Sequence, residues 1–312
     1  MKKILITGST GQIGADLAER LREQYGEDNV ITSARGVSAD IPNEPLFERL
    51  DVTDAQAFYD IAKKHQVDTI LHLAAVLSAV GEKDPQLLWH INMNGLQNAL
   101  EISRELGTAL FVPSSIGAFG PSTPKVGTPQ VTIQRPTTMY GVSKVAGELM
   151  CDYYYLKYGV DTRGVRFPGL ISYKALPGGG TTDYAVHIYY DALKKNHYTS
   201  FIAAGTKMDM MYMPDAVECI IDLMEADPSR LIDRNAFNVS SMSFDPEELK
   251  ESIRKVLPDF TLDYDVDPVR QAIAESWPDS LDCTEAREQW GFNPQYDLDA
   301  MTVDMLEKLG QK

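Results

Sequence analysis

The sequence predicts an α/β protein, a doubly wound parallel sheet followed by a smaller C-terminal lobe. Three observations carry this. Short apolar runs alternate with amphipathic stretches of helical period through the first half. A glycine-rich turn joins the first run to the first amphipathic stretch. Beyond about residue 170 the alternation loosens, and the last seventy residues hold Pro246, Pro258, Pro268, Pro278 and Pro294. Strands separated by helices pair parallel, because a crossover that long holds a helix, and a parallel sheet needs both faces covered.

In chain order, the apolar runs place strands at Lys3–Ile6, Val30–Ser33, Thr69–Leu73, Leu110–Pro113 and Thr162–Arg166. Helices are expected at Ile13–Tyr25, Ala55–His65, Ile91–Leu106 and Tyr140–Tyr158. Pro177-Gly178-Gly179-Gly180 reads as a loop, followed by a helix from about Asp183 to Lys195. Asn235–Val239 is read as a strand returning to the main sheet, and the proline-marked end as a lobe of short elements. The expected division is a sheet domain over residues 1–170 and a lobe over 171–312, with parts of about 205–240 returning to the sheet.

At 312 residues, 44% hydrophobic and 24% charged, the chain has ample material for a core. Its 45 acidic against 29 basic residues give a formal charge of −16. That balance repels phosphate backbones and anionic membranes, so neither nucleic acid nor membrane is expected as a partner. Cys151, Cys219 and Cys283 are too scattered for a disulfide framework or a zinc site, and the first two sit in apolar helical patterns as core residues. The five histidines lack metal-ligand spacing, and no metal is expected. The N-terminus opens into a strand without a signal-peptide run. The longest apolar stretch, Ile70–Val80, is interrupted by His72 and Ser78 and is too short to span a bilayer. A cytoplasmic location is expected.

Thr7-Gly8-Ser9-Thr10-Gly11-Gln12-Ile13-Gly14 lies between the first strand and the first helix. Glycines there permit a sharp turn and close approach of a pyrophosphate, which the free N–H groups of the helix start then bind. Strand, spacing and helix agree on a dinucleotide site of the Rossmann type. Asp51-Val52 and Leu73-Ala74-Ala75 fit the same cleft, the carboxylate facing an adenine amine and the small residues admitting the cofactor. Ordinary turn and packing chemistry would account for both without the glycine turn. At the end of the second strand, where an acid would bind a ribose diol, stand Ser33-Ala34-Arg35. Arg35 can pair with a 2′-phosphate, or lie solvated or stacked on the adenine.

Tyr140-Gly141-Val142-Ser143-Lys144 places a tyrosine and a lysine at i and i+4 on one helix face. A free phenol titrates near ~10 and is a poor base at neutrality; a nearby ammonium favours the phenolate. The same spacing is common in surface pairs. Here it follows Ser114-Ser115, just past a strand where open α/β sheets hold ligands. The Ser115 hydroxyl can donate to a substrate oxygen, or serve only as a turn serine.

Together the glycine turn, Asp51-Val52, His72-Leu73-Ala74-Ala75, Ser115 and Tyr140…Lys144 resemble the extended short-chain dehydrogenase/reductase family, which includes sugar-nucleotide epimerases and dehydratases. The match covers nearly the whole chain. A finer resemblance, to the L-threonine 3-dehydrogenases of that family, lies in residues 75–82, 112–121, 166–172, 177–185 and Glu275-Ser276-Trp277-Pro278. It implies a soluble oxidoreductase that oxidises the β-hydroxyl of L-threonine to 2-amino-3-oxobutanoate. Ser115, Tyr140 and Lys144 would be catalytic, with Tyr140 as base. Pro168 joins the implied cofactor site. NAD is the implied coenzyme, and Ala34, where those dehydrogenases carry aspartate, leaves NADP open.

For the amino-acid end of the substrate the candidates are Ser78 and Gly180-Thr181-Thr182, which lead into a helix start. Asp183 reads as a first-turn residue complementing the helix dipole, and Trp277 as either a cover for the site or an anchor of the lobe. A sugar-nucleotide epimerase or dehydratase would need positive charge for a diphosphate, and the C-terminal lobe is acidic. A redox sensor holding cofactor without turnover would not need Ser115, Tyr140 and Lys144 together. Helices 91–106 and 140–158 are apolar over more than one face, so a homodimer through a four-helix contact is expected, as the resemblance also implies.

Overall fold

The computed structural model describes residues 1–36, 46–174 and 180–311. Six strands form one sheet: β1 (Ile4–Thr7), β2 (Val30–Ala34), β3 (Phe47–Arg49), β4 (Thr69–His72), β5 (Ala109–Phe111) and β7 (Thr162–Arg163), with β6 (Ser114–Ser115) outside it. Their order is β3-β2-β1-β4-β5-β7, and every neighbouring pair is parallel. Strand β3 is too short and polar to show a period in sequence.

The alternation of side chains along each strand divides the core. Ile4, Ile6, Val30, Leu71 and Phe111 belong to one apolar cluster, and Leu5, Ile31, Ile70 and Leu110 to another. Helix α1 (Gln12–Tyr25) joins the first with Leu17, Ala18 and Leu21. Helices α2 (Ala55–Lys64), α5 (Gly95–Leu106) and α6 (Met139–Tyr158) join the second, with Phe58, Leu96, Leu100 and Cys151 among them. Each fully buried Leu, Ile or Phe contributes roughly 1.5–3 kcal/mol. Both faces are therefore covered, as the doubly wound reading requires. Between α2 and α5 lie β4 and the short helices α3 (Ser78–Gly81) and α4 (Pro85–Trp89). A π-helical turn, His90–Asn94, separates α4 from α5, where the sequence predicts one regular helix. The strand order reverses between β1 and β4, which opens a crevice at their carboxyl ends.

The strand expected over Thr162–Arg166 is two strands. A Cβ at Gly164 would lie 2.4 Å from the Val112 carbonyl oxygen and 2.8 Å from that of Asn235. The chain changes sheets there: β8 (Val165–Phe167) pairs with β6 and with β12 (Phe237–Asn238). The return near Asn235–Val239 thus joins this small sheet rather than the six-stranded one. A second small sheet holds β9 (Gly169–Ile171), β11 (Met208–Tyr212) and β13 (Met242–Phe244), and β10 (His197–Ser200) pairs with β14 (Thr261–Tyr264).

The end of the chain is more helical than its prolines suggest. Helices α7 (Tyr184–Lys195), α8 (Met213–Glu225), α9 (Pro246–Arg254), α10 (Pro268–Ser276), α11 (Thr284–Trp290) and α12 (Leu298–Gly310) follow in order. Pro246 and Pro268 begin helices, where a missing N–H costs nothing. Asp245 caps α9 by accepting from Glu248 N at 2.9 Å, and Asp267 caps α10. Met301, Met305 and Leu306 of α12 join the same core as Ile4 and Ile6. All three cysteines are buried, and burial pushes the Cys283 thiol up to about 12. Among the described residues no helix is long and apolar enough to cross a membrane, and no cluster of His, Cys, Asp and Glu is placed to hold a metal ion. The loop expected at Pro177-Gly178-Gly179-Gly180 lies outside the described residues, Gly180 excepted.

Candidate active site

The turn after β1 lies directly on the chain leaving β4. Gly8 adopts a left-handed φ of +72°, and a Cβ there would fall 2.7 Å from the backbone N and Cα of Ala74. Gly14 is as confined: its Cβ would sit 2.6 Å from the Gly8 carbonyl oxygen. Helix α1 starts with no side-chain cap and no acid in its first turn. Its free N–H groups and positive dipole end suit a phosphate.

This turn forms part of the wall of a cavity of about 640 Å³, within the range of small-molecule sites. Gly8, Gly11, Gln12, Ile13 and Gly14 line it, as do Arg35, Asp51 and Val52. So do Leu73, Ala74, Ala75 and Pro168. Ser115, Tyr140 and Lys144 open on the same space, together with Ser78, Gly180, Thr181 and Thr182. Ser33 does not. Its hydroxyl is buried and donates to the Ile6 carbonyl at 3.0 Å, while its own carbonyl accepts from Ser9 N. The cavity wall takes the next two residues, Ala34 and Arg35, instead.

At the chemical end, Ser115 accepts from Gly117 N at 3.1 Å and so begins a tight 3₁₀ turn, Ile116–Ala118. That turn brings Gly117 between Ser115 and Tyr140. An added Cβ there would lie 3.2 Å from the Tyr140 ring and 3.5 Å from Ser115 Oγ. Lys144 Nζ stands 5.3 Å from the Tyr140 ring centre and donates to the Pro113 carbonyl at 2.7 Å. Thr138 caps α6 by accepting from Gly141 N at 3.1 Å, which fixes where Tyr140 enters.

Other neighbours are not legible in sequence as site residues. Asn92, in the π-helical turn, brackets Val76 by accepting from its N–H at 2.8 Å and donating to its carbonyl at 3.1 Å, holding a stretch of cavity wall. Glu82 accepts from Met139 N at 2.8 Å and ties α3 to the start of α6. His72 is fully buried beside Thr7, its Nδ1 2.9 Å from the Thr7 hydroxyl, and burial pushes its pKa down to about 3, so it is neutral.

Asp51 uses one carboxylate oxygen on Thr53, at 3.0 Å to the N–H and 2.7 Å to the hydroxyl, and these bonds hold its pKa below the usual range. The Thr181 hydroxyl is buried on the cavity wall with no hydrogen-bond partner among the described residues. Asp183 accepts from Gly180 N at 2.5 Å and shapes that corner. Trp277 is largely buried in the first apolar cluster, as an anchor of the lobe would be, and one part of it lines the cavity.

Residues 4–240 match the NAD dependent epimerase/dehydratase family. An uncharacterized epimerase/dehydratase of Staphylococcus aureus is 60% identical over 315 residues, spanning 100% of this chain and 98% of its own. An L-threonine dehydrogenase from Clostridium difficile is 63% identical, with a TM-score of 0.99 over 100% of this chain and 98% of that one. A monomeric L-threonine 3-dehydrogenase from a metagenome is 42% identical, with a TM-score of 0.95 over 99% of each chain.

Proposed function

The chain belongs to the NAD dependent epimerase/dehydratase family, and on that premise we propose that it is an L-threonine 3-dehydrogenase, oxidising the β-hydroxyl of L-threonine to 2-amino-3-oxobutanoate. The observation that carries this is the meeting of Ser115, Tyr140 and Lys144 on one cavity with the glycine turn. The likeness to the Clostridium difficile L-threonine dehydrogenase supports the substrate.

A nicotinamide cofactor, when bound, supplies the hydride acceptor. The start of α1 would hold its pyrophosphate, Asp51 and Val52 its adenine, and Lys144 its ribose. Tyr140, as phenolate, takes the substrate hydroxyl proton, and Ser115 donates to the same oxygen. Lys144, held by the Pro113 carbonyl, keeps positive charge beside the phenol. Positioning and electrostatics are then the protein's share of the catalysis. At the other end, the Thr181 hydroxyl, unpartnered among the described residues, would take the amino-acid group with Ser78 and Gly180. The acidic C-terminal lobe does not favour a sugar-nucleotide diphosphate. Residues 1–170 would thus hold the cofactor and 171–312 much of the substrate, for a cytoplasmic step of threonine breakdown.

NAD is the proposed coenzyme. NADP is the second reading, because Ala34 leaves the end of β2 without an acid and Arg35 lies on the cavity wall. With L-threonine, absorbance at 340 nm should rise with NAD and less with NADP. A rise with NADP alone would reverse the assignment, and silence with both would turn the reading toward sugar nucleotides.

The chain is also proposed to form a homodimer. Val142, Leu149, Tyr153 and Leu156 make an exposed apolar stripe on α6, Leu149 at 62% and Leu156 at 80% exposure. Helix α5 leaves no such stripe, since Leu96, Ala99, Leu100 and Ile102 are all buried within the chain. Contact through α6 is therefore favoured over equal use of both helices. Sedimentation should give twice the 34.7 kDa chain mass, and a monomer at micromolar concentration would refute pairing.

A further inference from the structure

We propose that Glu148 is a positioning residue for the reaction, fixing the Ser114-Ser115 strand at a set distance from Tyr140. The proposal rests on the dehydrogenase reading above. Along α6, Tyr140, Lys144 and Glu148 recur at four-residue intervals and form one ridge. That ridge grips the approach to Ser115 at successive residues. Lys144 Nζ donates to the Pro113 carbonyl at 2.7 Å, and the Ser114 hydroxyl donates to the Glu148 carboxylate. Ser115 comes next, with Gly117 filling the space toward the Tyr140 ring. One helix thus carries Tyr140 and both anchors of the strand that carries Ser115.

Glu148 is held from its far side too. It is 6% exposed, and Arg166 donates Nε to Oε1 at 3.0 Å and Nη2 to Oε2 at 2.9 Å. Gln134 adds a bond to Oε2 at 2.8 Å. Arg166 in turn donates to the Gln130 carbonyl at 2.8 Å and to Asn238 Oδ1 at 3.0 Å. It also pairs with Ser114 across β6 and β8. Donors on both carboxylate oxygens leave Glu148 no freedom to follow a shifting strand. An apolar residue would fill the same space with less desolvation; the carboxylate adds direction, which a strand of two residues cannot supply alone.

Ser114→Ala removes the link to the strand and leaves the Glu148–Arg166 pair intact, while Ser114→Thr restores a hydroxyl. A displacement near 1 Å at a reacting group costs about 100-fold, so S114A should lose about 10- to 100-fold in kcat. Cofactor affinity should hold, Tm should fall by only a few degrees for the lost buried hydrogen bond, and S114T should recover most of the rate. A merely structural Ser114 predicts the lowered Tm alone, with kcat per folded molecule kept, and that result overturns the proposal. Crystal structures of wild type and S114A give a reading that needs no substrate. The Ser115–Tyr140 separation should widen or split into two conformers, and an unchanged separation also overturns it. Wild-type silence toward L-threonine would sink the dehydrogenase reading alone and leave this comparison to decide.

Discussion

Replacing Tyr140 by Phe is expected to cut kcat by about 10²- to 10⁴-fold, the usual share of a positioned acid–base group. Only an oxygen is lost. The ring remains against Gly117, and Thr138 still caps the helix that carries it. The cofactor cradle lies mostly elsewhere, on Gly8, Gly14 and the start of α1, so cofactor affinity should change by no more than about tenfold, as the loss of a single hydrogen bond allows. Single-turnover absorbance at 340 nm separates these quantities from product release. Wild-type turnover in Y140F would sink Tyr140 as the base. Loss of both turnover and cofactor binding would point instead to a phenol that holds the cofactor.

The parts of this molecule legible in sequence are those with a local cause. The strands β1, β2, β4 and β5 are apolar runs bounded by polar turns, and α1 and α2 show the period of one covered face. Tyr140 and Lys144 are visible because four residues make one helical turn. Thr181 is reachable because its loop opens a helix. What escapes depends on distance along the chain. Asn92 matters through Val76, and Glu148 through Ser114 and Arg166.

The Ser33 side chain is kept off the cavity wall for a simpler reason. Its strand neighbour Ile6 claims the hydroxyl, and adjacent strand residues point to opposite faces. The prolines mislead through a general association with loops. Asp245-Pro246-Glu247-Glu248 carries the signature of a helix start, a cap three residues before an acid.

The second large effect expected is on stability. Glu148→Gln should destabilise the fold by about 3–5 kcal/mol, the range for breaking a buried ion pair from one side. Arg166 would keep its charge at 7% side-chain exposure with no carboxylate to meet it. The introduced amide would also turn its N–H₂ toward donors from Arg166, Gln134 or Ser114, so at least one bond would become a donor–donor contact. With an unfolding entropy of roughly 2.1 cal/mol/K per residue, the Tm should fall by about 5–8 °C.

A buried pair is by itself weak evidence of stabilisation, since an apolar replacement of both partners is often neutral. The double variant separates the two effects. Adding Arg166→Met to E148Q removes the stranded charge and should recover part of the loss. It cannot recover all of it, because the Gln130 carbonyl and Asn238 Oδ1 lose their donor. Denaturant unfolding of the two single variants and the double one measures that coupling directly. Additive losses would mean that the charges do not feel each other. A loss short of additive, with the double variant still less stable than E148Q, would mean that Arg166 serves Gln130 and Asn238 first and Glu148 second.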